Sequence, residues 1–451
     1  MSQQMQPAVA PAPSGRLTAA AVSALGRSSD TSDYLRQVRL AGWDAFERIP
    51  LPSNRDEEWR RTDIRQLRLD SVVPGVDLDG HAELTPELSA ALASDDARSG
   101  LLVHRNGGLV VGQLDAALMA KGVIFDSLDR VAAAHPELVV RYLATEVVSA
   151  ADDKFVALAT AFRTGGAFLY VPPGVAVDLP LQSVTWGDRP GVAICPRTVI
   201  VADAGAEVTY VDQYGSTGLA SPDSGQGFSS SVVEIIARPG ARVRYISLQE
   251  WDPTVWSFAT QRAHIEADAT VSTLVVAFGG RVSKARVQSR LLGRGASAEM
   301  LGVLFGANRQ HFDHHTLQEH AAPNTTSDLL YKCALQDQAR SVFSGLIKAR
   351  RDAQKTDAVQ TNRNLLLSPK SRADSIPNLE IEANDLRCTH AAAVAPVDEE
   401  QLFYLQARGL SKPDAVRLVV EGFFEPLLAR VPLPGIRERL RAAVESRAGR
   451  S

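Results

Sequence analysis

The densest set of side chains able to do metal or acid–base chemistry is the run His311-Phe312-Asp313-His314-His315-Thr316-Leu317-Gln318-Glu319-His320. On a helix, H-x-x-E-H would bring two imidazoles to one zinc ion beside a general base. Here the spacing from His315 to Glu319-His320 is one residue too long, and Thr316 stands where the motif needs another residue. On a strand, His311, Asp313 and His315 would point to one face and His314 to the other. Three ligands on one face could hold a divalent ion, with His311 and His315 as its imidazoles. The competing reading is a polar ladder on stacked strands, its members satisfying one another by hydrogen bonds. The ladder is the better supported of the two.

A second constellation is Arg387-Cys388-Thr389-His390. In an extended segment Cys388 and His390 share a face. A thiolate and an imidazole together suit a soft metal or an iron–sulfur cluster. A Cys-x-His pair also describes a free cysteine packed as a small hydrophobe. The other cysteines, Cys195 and Cys333, are far away in sequence. Three scattered cysteines make a poor disulfide framework, so a reducing, cytoplasmic setting is expected. Two polar runs, Lys348–Asp357 and Gln360–Leu367, mix both charge signs and amides. Nucleic-acid patches are predominantly basic, so these runs read as a solvated face or a protein interface.

Several chemistries are excluded or disfavoured. No G-x-x-x-x-G-K-[ST] run exists, so the chain is not expected to hydrolyse ATP, and no G-x-G-x-x-G after a strand or G-x-S-x-G elbow appears. The net charge of −4 gives no reason to expect nucleic acid or an anionic membrane as partner. No stretch approaches the ~18 apolar residues of a membrane helix, and the N-terminus lacks the basic-then-apolar order of a signal peptide.

The elements that must position these residues fall into four parts. Residues 1–15, rich in Gln, Ala and Pro, are expected to be a disordered tail. Residues 16–164 read as a helical, α+β head in which Tyr34, Val38, Trp43 and Phe46 recur at helical spacing before Pro50 and Pro52 stop the helix. From Gly165 the texture changes to short alternating strands, each introduced by a small-residue turn. The copies are Gly205-Ala206-Glu207-Val208, Gly240-Ala241-Arg242-Val243, Asp268-Ala269-Thr270-Val271 and Gly295-Ala296-Ser297-Ala298. A unit of this kind cannot bury its apolar face alone, so residues 165–387 are expected to stack into a parallel or mixed β-helix, favoured over a sandwich. Residues 388–451 read as a helical tail, with Asp398 and Ser411 as N-caps, Pro413 in a first turn and Gly409 as a stop.

These blocks in their order resemble the SufB/SufD family of iron–sulfur cluster assembly scaffolds. The resemblance is carried by Asp313-His314-His315-Thr316, Pro323–Asp328, Phe343-Ser344-Gly345, Ala353–Asp357, Gln360–Leu365, Pro377–Ile381, Cys388-Thr389-His390, Asp398–Leu405 and Arg408-Gly409. Upstream, Pro52, Arg55, Glu57, Glu58, Trp59 and Thr62-Asp63 look like the family's N-terminal signature. With three cysteines the chain is more similar to the SufD branch than to SufB, which is usually longer and richer in cysteine. Ala391–Ala395 depart from the family's usual glycines after Cys-x-His, so local geometry is expected to differ there.

The resemblance implies a right-handed parallel β-helix between helical flanks, acting as a non-catalytic scaffold. It implies pairing with SufB through the β-helix and with the ATPase SufC through the C-terminal helices, and leaves a homodimer open for the isolated chain. Its cofactor would be a nascent iron–sulfur cluster or iron, transient and shared with SufB, with none held tightly by the chain alone. His390 would be the ligand or the residue of iron entry, and Cys388 a weaker candidate. In the tail, Leu402, Phe403, Tyr404, Arg408, Gly409 and Phe423 are the expected partner contacts. Two alternatives remain: a SufB-like, sulfur-accepting subunit, and a β-helix hydrolase or lyase acting on polysaccharide.

Overall fold

The computed structural model describes residues 17–26, 32–75, 84–92, 97–143 and 147–449; the tail expected over 1–15 lies outside the described residues. The turn motifs read from the sequence fall on one corner of a coiled chain. Gly205, Gly240 and Gly295 adopt φ of 67°, 71° and 73°, and Asp268 fills the same left-handed place with φ 57°. The residue after each, Ala206, Ala241, Ala269 and Ala296, is wholly buried. Each corner thus buries a single methyl group in the solenoid interior. Backbone bonds run from coil to coil through this corner, as from Gly205 N–H to the Pro239 carbonyl and from Gly240 N–H to the Ala267 carbonyl.

Successive strands alternate between two sheets, so that strand i pairs with strand i+2. One sheet runs from Ala167–Val171 to Arg372–Ile381 and the other from Leu181–Gly187 to Leu386–Pro396, all parallel. Antiparallel partners close the N-terminal ends, Ile124–Ser127 on one sheet and Gly108–Leu114 beyond Gly100–Arg105 on the other. The body is therefore a parallel β-helix. The last strand carries the solenoid through residue 388, where the helical tail was expected to begin, and the first tail helix starts at Glu399.

Helices cover both outer faces. The N-terminal helices Asp33–Arg48 and Lys154–Ala161 lie on the first sheet, where Phe155 stacks on Phe258 at 3.7 Å and Trp59 joins them. Arg197 and Glu234, both buried, bridge this layer at 2.8 Å, and the Arg197 guanidinium also donates to the Val148 carbonyl. On the second sheet, helices Lys412–Leu428 and Pro434–Ala448 bury Val420, Phe424, Leu427 and Leu440 against Val276, Leu301, Val303 and Ala334. The expected caps hold: Asp398 accepts from the Glu400 and Gln401 N–H groups, Ser411 from Asp414 N–H, and Gly409 has φ 95°.

Candidate functional site at the open end of the solenoid

The strand Leu386–Pro396 pairs with Thr356–Leu366 in a register that sets Cys388 over Ala358 and His390 over Gln360. Ala358, Gln360, Asn362 and Asn364 are all buried on the inner face of their coil. Cys388 and His390 therefore share the inner face of the last coil, as the alternation of an extended segment requires. Among the described residues no further coil follows, so Cys388 is only half-buried and His390 is exposed. Burial, and next the Asp357 carboxylate, push the Cys388 thiol up from its ordinary range. Ala391–Ala395 continue the strand with no left-handed residue, so the missing glycines leave a regular edge.

Across the opening, Leu379 and Ile381 stand over Ile347 and Ala349 on the inner face of the other sheet. Leu379, Ile381 and Val394 are 42%, 41% and 41% exposed, an apolar rim on two strands whose outer backbone edges pair with no other strand among the described residues. Below the rim the interior turns polar. Asn364 donates to the Asn362 side-chain oxygen at 2.7 Å and Ser375 to the same oxygen at 2.8 Å, where the preceding coil has Leu329, Tyr331 and Cys333. This amide layer was not anticipated from the sequence, although Gln360, Asn362 and Asn364 alternate visibly.

The histidine run sorts as a strand. His311, Asp313 and His315 face outward and His314 inward. The Asp313 carboxylate accepts from Lys284 Nζ at 2.6 Å and from the Thr62 hydroxyl, and lies 2.9 Å from His315 Nε2. Desolvation opposes its ionisation, but the His315 and Lys284 contacts outweigh burial and hold it well below the usual carboxylate range. Lys284 also donates to the Glu58 carbonyl at 2.8 Å and lies 4.6 Å from the centre of the Trp59 ring. Thr62 meets His311 Nε2 at 2.8 Å. Among the described residues no three His, Cys, Asp or Glu side chains converge as metal ligands. The Lys284 ammonium, itself buried, sits beside the Asp313 carboxylate as its counter-charge. His311 and His315 take part in a clasp that ties the segment Glu57–Thr62 to the solenoid. The signal was divided between two distant blocks, the N-terminal signature and the histidine run.

In the tail, the helix Glu399–Ala407 buries none of its residues. Phe403 and Tyr404 are 74% and 57% exposed, Arg408 lies 5.2 Å from the Tyr404 ring centre, and Leu402 is half-buried. Gly409 ends the helix, exposed. Phe423 is placed elsewhere: it is half-buried in the seam between its helix and the solenoid.

Two family models match consecutive parts of the chain. Residues 27–183 match the SufBD protein N-terminal region, and residues 185–423 match the SUF system FeS cluster assembly, SufBD core domain. The chain belongs to the SufB/SufD family. Relatives named iron–sulfur cluster assembly SufBD family protein occur in Staphylococcus epidermidis, Staphylococcus haemolyticus and Staphylococcus aureus. Each is 30% identical to this chain over 92% of its length and 90% of the relative's. The SufBD core match ends at Phe423, so it takes in the open coil with Cys388 and His390 and the exposed helix Glu399–Ala407. The SufBD family assignment places the chain in iron–sulfur cluster assembly.

Proposed function

We propose that this chain is the SufD-type scaffold subunit of an iron–sulfur cluster assembly complex in the cytoplasm. Its open coil joins the β-helix of a SufB-type partner, and the exposed helix Glu399–Ala407 seats the ATPase SufC. The chain itself turns nothing over; iron or a nascent cluster is cargo, held between two subunits with His390 as this chain's ligand. The observation that carries the reading is the unfinished solenoid end. Two edge strands, an apolar rim of Leu379, Ile381 and Val394, and the inward-facing Cys388 and His390 coincide there. An exposed edge strand is a template for another chain's strand.

The SufB-like alternative requires an accessible thiolate to receive sulfur. Cys195 and Cys333 are 0% and 2% exposed, and burial pushes both thiols up to about 12. Only Cys388 remains, and its thiol is also raised. A polysaccharide-cleaving activity gains no support from the family match. Without its partner the chain would bury the same rim by self-association. The test is co-expression with a SufB-type chain and the ATPase, followed by light scattering on the purified complex. Leu379→Asp with Val394→Asp should release this chain from the SufB-type partner; an unchanged complex would refute docking at the open end.

A further inference from the structure

Midway along the solenoid the inner faces of the two sheets carry side chains too small to meet. In one sheet the inner column runs Ser231, Ala259, Ala285, His314 from coil to coil, and in the other Ser247, Val275, Gly302. Packed sheets stand ~10 Å apart, a gap that serine and alanine do not span. At the next coil bulk returns, where the Tyr331 ring lies so close to Gly302 that a Cβ there would stand 2.4 Å from it. The space left is an internal cavity that offers about 40 Å³ to the centres of water molecules. Ser247 and Ala259 line it and are only partly buried, although both sit on the inner face.

His314 turns its imidazole into this cavity. The ring is buried, and neither of its nitrogens has a hydrogen-bond partner within the chain. In a neutral imidazole one nitrogen donates and the other accepts, and leaving both unmet away from water is costly. The hydroxyls of Ser231, Ser257 and Ser283 line the same cavity. The Tyr214 and Tyr245 hydroxyls at its margin are committed to Asp212, at 2.7 and 3.0 Å. Arg286, the one charged residue of the lining, turns outward to Glu58 and Asp153. The inward wall is therefore polar and carries no carboxylate, so the ligand that fits it is small and neutral. Each buried water needs ~10–15 Å³ of such room and two or more polar partners, so the cavity suits about three.

We propose that this cavity is a binding site for an internal cluster of about three water molecules, which meets the His314 ring nitrogens and joins them to the serine hydroxyls. The cluster fills the place that larger side chains take in neighbouring coils and links the two sheets by hydrogen bonds. It also accounts for an imidazole at a buried position between Phe312 and Tyr331. Nothing in it depends on what the open end of the solenoid holds.

The test is a crystal structure of the full chain that shows ordered water, paired with a second crystal pressurised with xenon. Water density should lie within hydrogen-bond distance of at least one His314 ring nitrogen. No xenon should enter, because xenon settles in cavities that are apolar and dry. His314→Phe keeps an aromatic ring and removes both nitrogens, so the water beside the ring should be lost. The native crystals decide the matter even where that variant fails to fold. Xenon density in the cavity, or no water beside His314 in the native chain, would overturn the proposal. Water density unchanged in His314→Phe would overturn the bond to the ring.

Discussion

Lys332, on the outer face of the strand Thr326–Leu335, donates to the Phe423 backbone carbonyl and holds its ammonium 5.1 Å from the centre of the Phe423 ring. Desolvation there draws the Lys332 pKa down to about 8. Phe423 is thereby engaged within the chain, and the free aromatic surface of the tail is Phe403 and Tyr404. We expect Phe403→Asp to weaken binding of the ATPase at least ~10-fold while changing stability by no more than ~0.5 kcal/mol. Phe423→Asp should instead destabilise the tail's docking by about 1–3 kcal/mol. Pull-down and thermal melts of both variants decide it: equal ATPase binding by Phe403→Asp and the native chain would exclude this helix as the seat.

Acid should loosen the solenoid through its interior histidines. His314 is buried with both ring nitrogens unpartnered, between Phe312 and Tyr331, and desolvation lowers its pKa to about 4. An unfolded histidine titrates near ~6.5. Between these values the unfolded chain binds the proton and the folded chain does not, so the contribution is intact above ~6.5 and is lost as pH falls toward 4. At pH ~5 the loss is roughly 2 kcal/mol for this residue. His314→Phe should flatten the decline between pH ~7 and ~5 in denaturant titrations; an equally steep decline in that variant would show that His314 does not contribute to it.

The Arg197–Glu234 pair ties the helical head to the first sheet from a position without solvent. Arg197→Met leaves the Glu234 carboxylate buried and without its guanidinium, and should cost about 3–5 kcal/mol in urea unfolding. Replacing both, Arg197→Met with Glu234→Gln, should cost less than the single change. A single variant as stable as the native chain would contradict the geometry.

Much of this architecture is legible in the amino-acid sequence. The Gly-Ala and Asp-Ala corners announce the coils because a small residue recurs at each inner corner, and the alternation of His311, Asp313 and His315 already separates the two faces of their strand. The end of the solenoid was less visible. Ala391–Ala395 carry no polar–apolar alternation, and only pairing with Thr361–Leu365 shows that they are strand. The stacking of Gln360 beneath His390, and the meeting of Thr62 with Asp313, depend on cross-coil register, which no local pattern encodes. The seat of Phe423 was hidden for a related reason: helical spacing shows that a face is apolar but not which surface covers it, and here the solenoid half-covers it.

The central claim is that His390, at the open end, holds cargo shared with a second family member. Its most direct test is the iron and acid-labile sulfide content of the complex purified anaerobically from cells co-expressing this chain, a SufB-type partner and the ATPase. His390→Ala should leave the subunit ratio and ATPase binding unchanged while cluster content falls at least ~10-fold, the loss expected when a ligand is removed; Cys388→Ser should have a smaller effect. A His390→Ala complex that carries as much iron and sulfide as the native one would contradict the account.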